Sequence, residues 1–136
     1  MREFERALAL NSALPDAWFN LGVAHAMQQA WDPARDAYER GLALAPGEPR
    51  ALQNLATIEA NAGRWGQAVA RLQQAVAQAP ASAELRNDLG RVYMAVGARE
   101  DAVRELERAL ALDPGSHAVV ENLRLARGAG SSGDRP

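Results

Sequence analysis

The sequence contains no cysteine, which excludes disulfides, thiolate metal sites and a thiol nucleophile. It also contains no lysine, so all 15 basic residues are arginine, a bias that we attribute to coding composition. No run of about 18 apolar residues is present. Acidic residues interrupt the N-terminal segment MREFERALAL, where a signal peptide would be apolar. We therefore expect a soluble, cytoplasmic protein with no membrane partner.

Blocks of like charge are also missing. The 17 acidic and 15 basic residues are interspersed and give a formal net charge of -2, so we expect no basic patch for nucleic acid. With 48% hydrophobic and 24% charged residues, the 136-residue chain has the composition of one folded domain. Nucleic acid is excluded as a partner, and disorder is excluded over most of the chain.

Recognised catalytic and metal-binding motifs are absent. The sequence has two histidines, His25 and His117, and neither has a nucleophile or a carboxylate at a recognised motif spacing. His25 is expected to be a core residue. We predict that the protein is not an enzyme, holds no metal and needs no cofactor.

What the sequence does contain is a repeat with a period of 34 residues. Four leucines follow this spacing, Leu21, Leu55, Leu89 and Leu123, and so do three prolines, Pro46, Pro80 and Pro114. A unit of this length holds a pair of helices that cannot bury its apolar face alone, so the copies must stack. The period predicts an all-α fold, an α-solenoid of antiparallel helix pairs.

Each unit is predicted to contain a helix A and a helix B joined by a tight turn. The predicted solenoid covers residues 1–127, with a partial repeat at 1–14, repeats at 15–48, 49–82 and 83–116, and a terminal helix at 117–127, and a flexible tail follows at 128–136. Gly63 and Gly97 are expected to supply left-handed backbone at the turns. Asp32, directly before Pro33, is expected to be the N-cap of the first helix B.

The small and large residues of each unit resemble the tetratricopeptide repeat pattern. In the first unit the matching residues are Trp18, Leu21, Gly22, Ala34, Tyr38, Gly41 and Pro46, and the next two units match at equivalent positions. The resemblance implies a right-handed superhelix. It also implies a non-catalytic scaffold whose concave face, lined by the A helices, binds peptides or partner helices.

The same resemblance predicts which residues line the groove. They are Phe19, Asn20, Val23, Met27, Arg50, Asn54, Thr57, Asn61, Asp88, Arg91 and Asn122. Similar proteins hold the terminal carboxylates of heat-shock chaperones with a basic clamp. At the clamp positions this chain retains Asn54 alone and carries Glu84 and Asp88, which would repel a carboxylate. Chaperone-tail binding is therefore rejected.

A row of amides runs along the predicted groove. Asn20, Asn54 and Asn122 belong to one 34-residue series, which Asp88 interrupts. Stacked amides can bond both the N–H and the C=O groups of an extended peptide. The alternative is that asparagine is simply common at this position in the family.

Helix A of the first unit is apolar on two sides. Phe19, Val23 and Met27 lie four residues apart, away from the Trp18 and Leu21 stripe. We predict that these three residues form an apolar anchor for the ligand, because an exposed patch of this kind is usually covered. The alternative is that the N-terminal helix covers them.

Two charged residues occupy positions where the pattern expects core residues. Arg86 stands where Trp18 and Leu52 place apolar side chains, and Glu59 stands where Tyr93 places an aromatic one. We expect the Arg86 stem to lie over the core with its charge in water, and Glu59 to reach the edge of the groove.

The function predicted from these observations is a protein-interaction module for a protein or peptide partner. One alternative is a homo-oligomerising structural module, a weak homodimer formed through Phe4, Ala7 and Leu8 at the N-terminal edge, where no helix A precedes them. The other alternative is a docking segment of a longer enzyme.

Overall fold

The computed structural model describes residues 2, 3, 5, 6 and 13–131. Within residues 13–131 seven helices follow one another, and this part of the chain contains no strand. The helices are α1 (Pro15–Met27), α2 (Trp31–Leu44), α3 (Pro49–Asn61), α4 (Trp65–Gln78), α5 (Ala83–Ala95), α6 (Arg99–Leu112) and α7 (His117–Ser131). The predicted all-α architecture is confirmed, with the odd-numbered helices as the A helices and the even-numbered ones as the B helices.

The helices pack in sequential pairs. The most extensive contacts join α1 to α2, α3 to α4 and α5 to α6, and each B helix also contacts the next A helix. The neighbouring A helices α5 and α7 touch as well. Each unit thus relies on its immediate neighbours for burial, which is the arrangement of a solenoid.

Each A-to-B turn contains one residue with left-handed backbone. Gly63 has φ 79° and Gly97 has φ 82°, as the sequence predicts. The equivalent residue of the first unit is Gln29, with φ 59°, and it is the one non-glycine with positive φ in the described chain. A left-handed residue costs about 1–2 kcal/mol when it carries a Cβ, so the first turn is more strained than the other two.

The first B helix begins earlier than expected. Helix α2 starts at Trp31, and its N-cap is Ala30, whose side chain makes no capping hydrogen bond. The predicted cap at Asp32 is wrong because the left-handed turn at Gln29 already sets the start of the helix. Asp32 instead lies in the first turn of α2, where its negative charge is favourable near the helix N-terminus.

Small residues allow the helices of each pair to approach closely. A Cβ built on Gly22 would lie 2.9 Å from the Tyr38 ring, and one built on Gly90 would lie 2.6 Å from Cγ of Leu106. Ala56 occupies the same position in the second unit and is buried. The core around these contacts is formed by fully buried side chains such as Leu55 and Ala68.

Helix α7 differs from the A helices before it. It continues to Ser131, past the predicted end at residue 127, and residues 132–136 lie outside the described chain. Arg124 stands where the first three units have Gly22, Ala56 and Gly90. Its Nε donates to Oε2 of Glu121 at 3.1 Å on the exposed surface. The outer face of α7 is therefore charged where the earlier A helices have small residues.

Arg86 is paired inside the third unit. Its Nη1 donates to both carboxylate oxygens of Glu105, each at 3.1 Å, and its Nε donates to the carbonyl of Pro80 at 2.9 Å. Side-chain exposure is 14% for Arg86 and 9% for Glu105. The predicted snorkelling is wrong, because antiparallel α5 and α6 place a carboxylate within reach of the guanidinium.

Glu59 is also buried. It is 0% exposed, and its Oε1 accepts a hydrogen bond from Nε of Arg71 at 3.3 Å. Its Oε2 finds no hydrogen-bond partner among the described residues. The prediction that Glu59 reaches the groove edge is wrong. Burial raises the pKa of this carboxyl above its usual value, and the nearby Arg71 and Arg35 oppose that rise.

Candidate functional site

The predicted groove residues all lie on the A helices, but they differ in exposure. Seven are exposed, namely Asn20, Val23, Met27, Arg50, Thr57, Asn61 and Arg91. The other four, Phe19, Asn54, Asp88 and Asn122, are half-buried. The half-buried group includes most of the amide series. A ligand on this face would meet mainly the first group.

Phe19 does not share the environment of the other two predicted anchors. Its ring lies against Gly41 of α2, closer than a side chain at that position would permit, and it packs on the main core cluster. Val23 and Met27 remain 41% and 81% exposed. The apolar surface open to solvent on α1 therefore comes from these two residues, because Gly41 leaves room for the Phe19 ring inside the helix pair.

Two clefts separate neighbouring A helices. The first cleft lies between α1 and α3, has a volume of about 300 Å³ and is lined by Val23, Ala26, Met27, Trp31, Tyr38, Asn54, Thr57 and Ile58. The second cleft lies between α3 and α5, has a volume of about 260 Å³ and is lined by Ala56, Thr57, Ala60, Asn61, Trp65, Leu72, Asp88, Arg91, Val92 and Ala95. Every position of the first set has its equivalent 34 residues later in the second, so the clefts repeat with the solenoid.

Each cleft has a tryptophan that the sequence reasoning missed. Trp31 is 48% exposed and Trp65 is 38% exposed, and each is the first residue of a B helix. Their separation of 34 residues is a signal that could have identified them. In the third unit the equivalent residue is Arg99, beside a charged cavity of about 590 Å³ that also includes Glu100 and Asp101.

The polar residues along this face connect successive units. Nε2 of Gln53 donates to Oδ2 of Asp88 at 2.8 Å, and Nδ2 of Asn122 donates to Oδ1 of Asn87 at 2.9 Å. Both bonds join residues 35 apart. Asp88 and Asn122 thus contribute to the junctions between units as well as to the surface.

Asn54 departs from that scheme. The residue that corresponds to Gln53 and Asn87 in the first unit is Phe19, which has no hydrogen-bonding group. Nδ2 of Asn54 instead donates to the Tyr38 hydroxyl at 3.3 Å. Burial raises the pKa of Tyr38, and the Asn54 bond opposes that rise. The amide series is therefore only partly available to a ligand.

A pair of carboxylates lies beside the second cleft. Nε2 of Gln53 donates to Oε1 of Glu84 at 3.1 Å as well as to Asp88. Burial raises the pKa of Asp88 and the Glu84 charge adds to the rise, whereas the Gln53 bond and Arg91 oppose it. Arg91 Nη1 is 3.8 Å from Oδ1 of Asp88 and its side chain is 64% exposed, so this ion pair is loose.

Other kinds of site receive no support from the described residues. No group of three or more metal-ligating side chains occurs among them. Over the same residues, no helix is both long enough and apolar enough to cross a membrane. The predicted dimer edge at Phe4, Ala7 and Leu8 lies outside the described residues, so the homodimer stays a prediction.

Sequence comparison identifies the family. Two family profiles, both described as tetratricopeptide repeat, match residues 59–126 and 21–87. The chain belongs to the tetratricopeptide repeat family. No curated protein sequence matches it.

Solved structures of the same fold agree with this assignment. The chain is similar to MamA 41-end from Desulfovibrio magneticus RS-1, with a TM-score of 0.89 at 21% identity over 96% of this chain and 73% of that one. It is similar to the first domain of Spaghetti (RPAP3) bound to the HSP90 peptide SRMEEVD, with a TM-score of 0.81 at 23% identity over 86% of this chain and 93% of that one. At this identity the likeness shows the fold.

Proposed function

We propose that the protein is a non-catalytic interaction module that binds an extended peptide or a partner helix across its A helices. The observation that supports this most directly is the pair of clefts between successive A helices, each with a half-exposed tryptophan. Clefts lined by apolar side chains with a few polar groups are typical of binding sites. Val23 and Met27 add exposed apolar area at the first cleft.

The structural relative with a bound HSP90 peptide supports this use of the fold. This chain is not expected to bind the same kind of peptide. Glu84 and Asp88 carry negative charge on the A-helix face, and Asp88 already accepts a hydrogen bond from Gln53. A peptide ending in carboxylates would be repelled there, so the proposed ligand is of a different kind.

The proposal is tested by selecting peptides from a displayed random library on the immobilised chain and measuring their affinities by fluorescence polarisation. We expect Val23→Asp with Met27→Asp to weaken the selected peptides at least tenfold, because the change charges the apolar side of the first cleft. Val120→Asp on α7 is the matched control, since Val120 is 47% exposed and lies away from both clefts. Equal affinities for the cleft and control variants would contradict the proposal.

A second experiment separates the amide series from the apolar cleft. Asn20, Asn54 and Asn122 are changed together to alanine, and we expect weaker binding by peptides of many sequences if the amides bond the peptide backbone. Loss of the Tyr38 and Asn87 bonds also lowers stability, so circular dichroism must first show an intact helical fold. Unchanged affinity in the folded variant would remove the amide series from the site.

The predicted cytoplasmic location, the weak homodimer and the docking segment of a longer enzyme stay predictions. Light scattering from micromolar to millimolar concentration, with Phe4→Glu as the comparison, tests the homodimer. A monomer throughout, unchanged by Phe4→Glu, would contradict it. Cell fractionation tests the location.

A further inference from the structure

The two clefts differ in charge although they are equivalent in the repeat. No charged side chain lines the first cleft within the described residues, and its exposed large apolar side chains are Val23, Met27 and Trp31. The second cleft contains Asp88 and Arg91 together with Trp65. A ligand that fills both clefts therefore meets an apolar environment first and a charged one next.

Two carboxylates lie at one side of the second cleft, where Asp88 lines the cleft and Glu84 adjoins Asp88. Glu84 and Asp88 accept hydrogen bonds from one nitrogen of Gln53, so the two carboxylates are close neighbours. The one guanidinium that pairs with them among the described residues is that of Arg91, at 3.8 Å from Asp88 and largely in solvent. A neutral amide and a loose ion pair leave much of this charge uncompensated, which favours an added cation.

The tryptophan of the second cleft favours the same kind of group. Trp65 is 38% exposed and lines the cleft together with Asp88. The face of an indole ring attracts a lysine or arginine side chain, and the attraction increases when water is excluded. A carboxylate and an aromatic ring in one cleft thus both select a cationic side chain.

Resting on the proposed function, we infer that the ligand is an extended peptide with a bulky apolar residue in the first cleft and a lysine or arginine in the second, beside Asp88 and Trp65, with Glu84 adjoining Asp88. The two clefts lie on either side of α3, and a helix with its side chains is about 10–12 Å across, which is close to the advance of about 9 Å in three residues of one turn of polyproline II helix. The two ligand residues are therefore three apart in the peptide sequence.

Four synthetic 12-residue peptides test this inference. The host sequence consists of glycine, serine and proline, and two positions three residues apart are varied. These positions carry leucine then arginine in the first peptide, leucine then glutamate in the second, alanine then arginine in the third, and arginine then leucine in the fourth. We expect the first peptide to bind at least tenfold more tightly than the second, which corresponds to one charge-assisted hydrogen bond. It should also bind several-fold more tightly than the third and fourth peptides.

Matched variants assign each preference to its cleft. Glu84→Gln should reduce the preference for arginine over glutamate and leave the preference for leucine over alanine intact, whereas Met27→Ser should do the reverse. Glu107→Gln on α6 is the control, because Glu107 is an exposed acid whose partner is Arg127. Glu84→Gln is preferred to Asp88→Asn, because Asp88 also joins two units through its hydrogen bond with Gln53. A change at Asp88 would therefore alter the packing as well as the charge.

The results separate this inference from the proposed function. Equal or tighter binding by the leucine and glutamate peptide would overturn the cationic preference and leave peptide binding in place. If library selection yields binders but none of the four peptides binds, the inferred ligand chemistry is wrong. If neither source yields a binder, the proposed function fails as well.

Discussion

Gln29 shows how one residue departs from its repeat. It adopts the left-handed backbone that Gly63 and Gly97 adopt in the next two turns. Gln29→Gly should increase the free energy of unfolding by about 0.5–1 kcal/mol, because glycine relieves the Cβ strain at some cost in unfolded-chain entropy. Gly63→Ala should decrease it by a similar amount. Urea denaturation measures both, and a loss of stability in Gln29→Gly would mean that its side chain makes a stabilising contact.

Glu59 makes stability depend on pH. Burial raises its pKa in the folded state above the usual 4.5, so the folded protein binds this proton more tightly than the unfolded chain does. As the pH rises from about 4.5 through the raised pKa, the contribution of Glu59 to the free energy of unfolding should therefore fall.

Glu59→Gln removes this contribution and keeps a hydrogen-bonding side chain beside Arg71. Urea denaturation of both proteins at several pH values from about 4 to about 8 gives the difference in unfolding free energy. The value for the wild type minus that for Glu59→Gln should decrease as the pH rises. Using the difference cancels the titration of Asp88, whose pKa is also raised. A difference independent of pH would refute the assignment.

The close contacts between helices depend on positions without side chains. Gly90→Ala should lower the free energy of unfolding by about 1–3 kcal/mol, because the new Cβ would overlap Leu106 of α6. Gly66→Ala is the control, since a Cβ there meets no atom within 4 Å. It should be neutral or slightly stabilising. Equal effects would indicate that α5 and α6 can separate without cost.

The helices were largely predictable from the sequence, but their exact limits and buried charges were not. Apolar spacing and the prolines that separate units define helix pairs through local preferences. The start of α2 depends instead on the turn conformation at Gln29, and the position of Arg86 depends on Glu105 in the facing helix. Single-residue patterns do not reveal such partners, because the contact forms only when two helices pack.

The candidate site was predictable to the level of the helix face. The repeat register assigns the groove residues to the A helices, yet Phe19 is drawn inward because Gly41 on α2 has no side chain. Trp31 and Trp65 were not predicted as cleft residues, although their 34-residue spacing equals that of the core leucines. Side-chain direction at a junction depends on both neighbours, which periodicity alone does not describe.

Cooperativity belongs to the molecule as a whole. Leu55 is 0% exposed in the middle unit, and Leu55→Ala should lower the free energy of unfolding by about 2–5 kcal/mol. It should also broaden the urea transition, because weakening a central unit uncouples its neighbours. Leu123→Ala in α7 is the matched control, since Leu123 is 4% exposed and packs at one junction. A sharp transition in the Leu55 variant would contradict nearest-neighbour coupling.

Adding a unit to a solenoid requires a surface on which the next helix can pack. In the first three units that surface is a small residue on helix A, against which the following B helix docks. Arg124 on α7 replaces that small residue with the largest basic side chain, held by Glu121. Steric bulk and charge on α7 thereby oppose the docking of another B helix. A B helix grafted after α7 should pack on it only when Arg124 is replaced by glycine, and the gain in helical circular dichroism per added residue measures that packing.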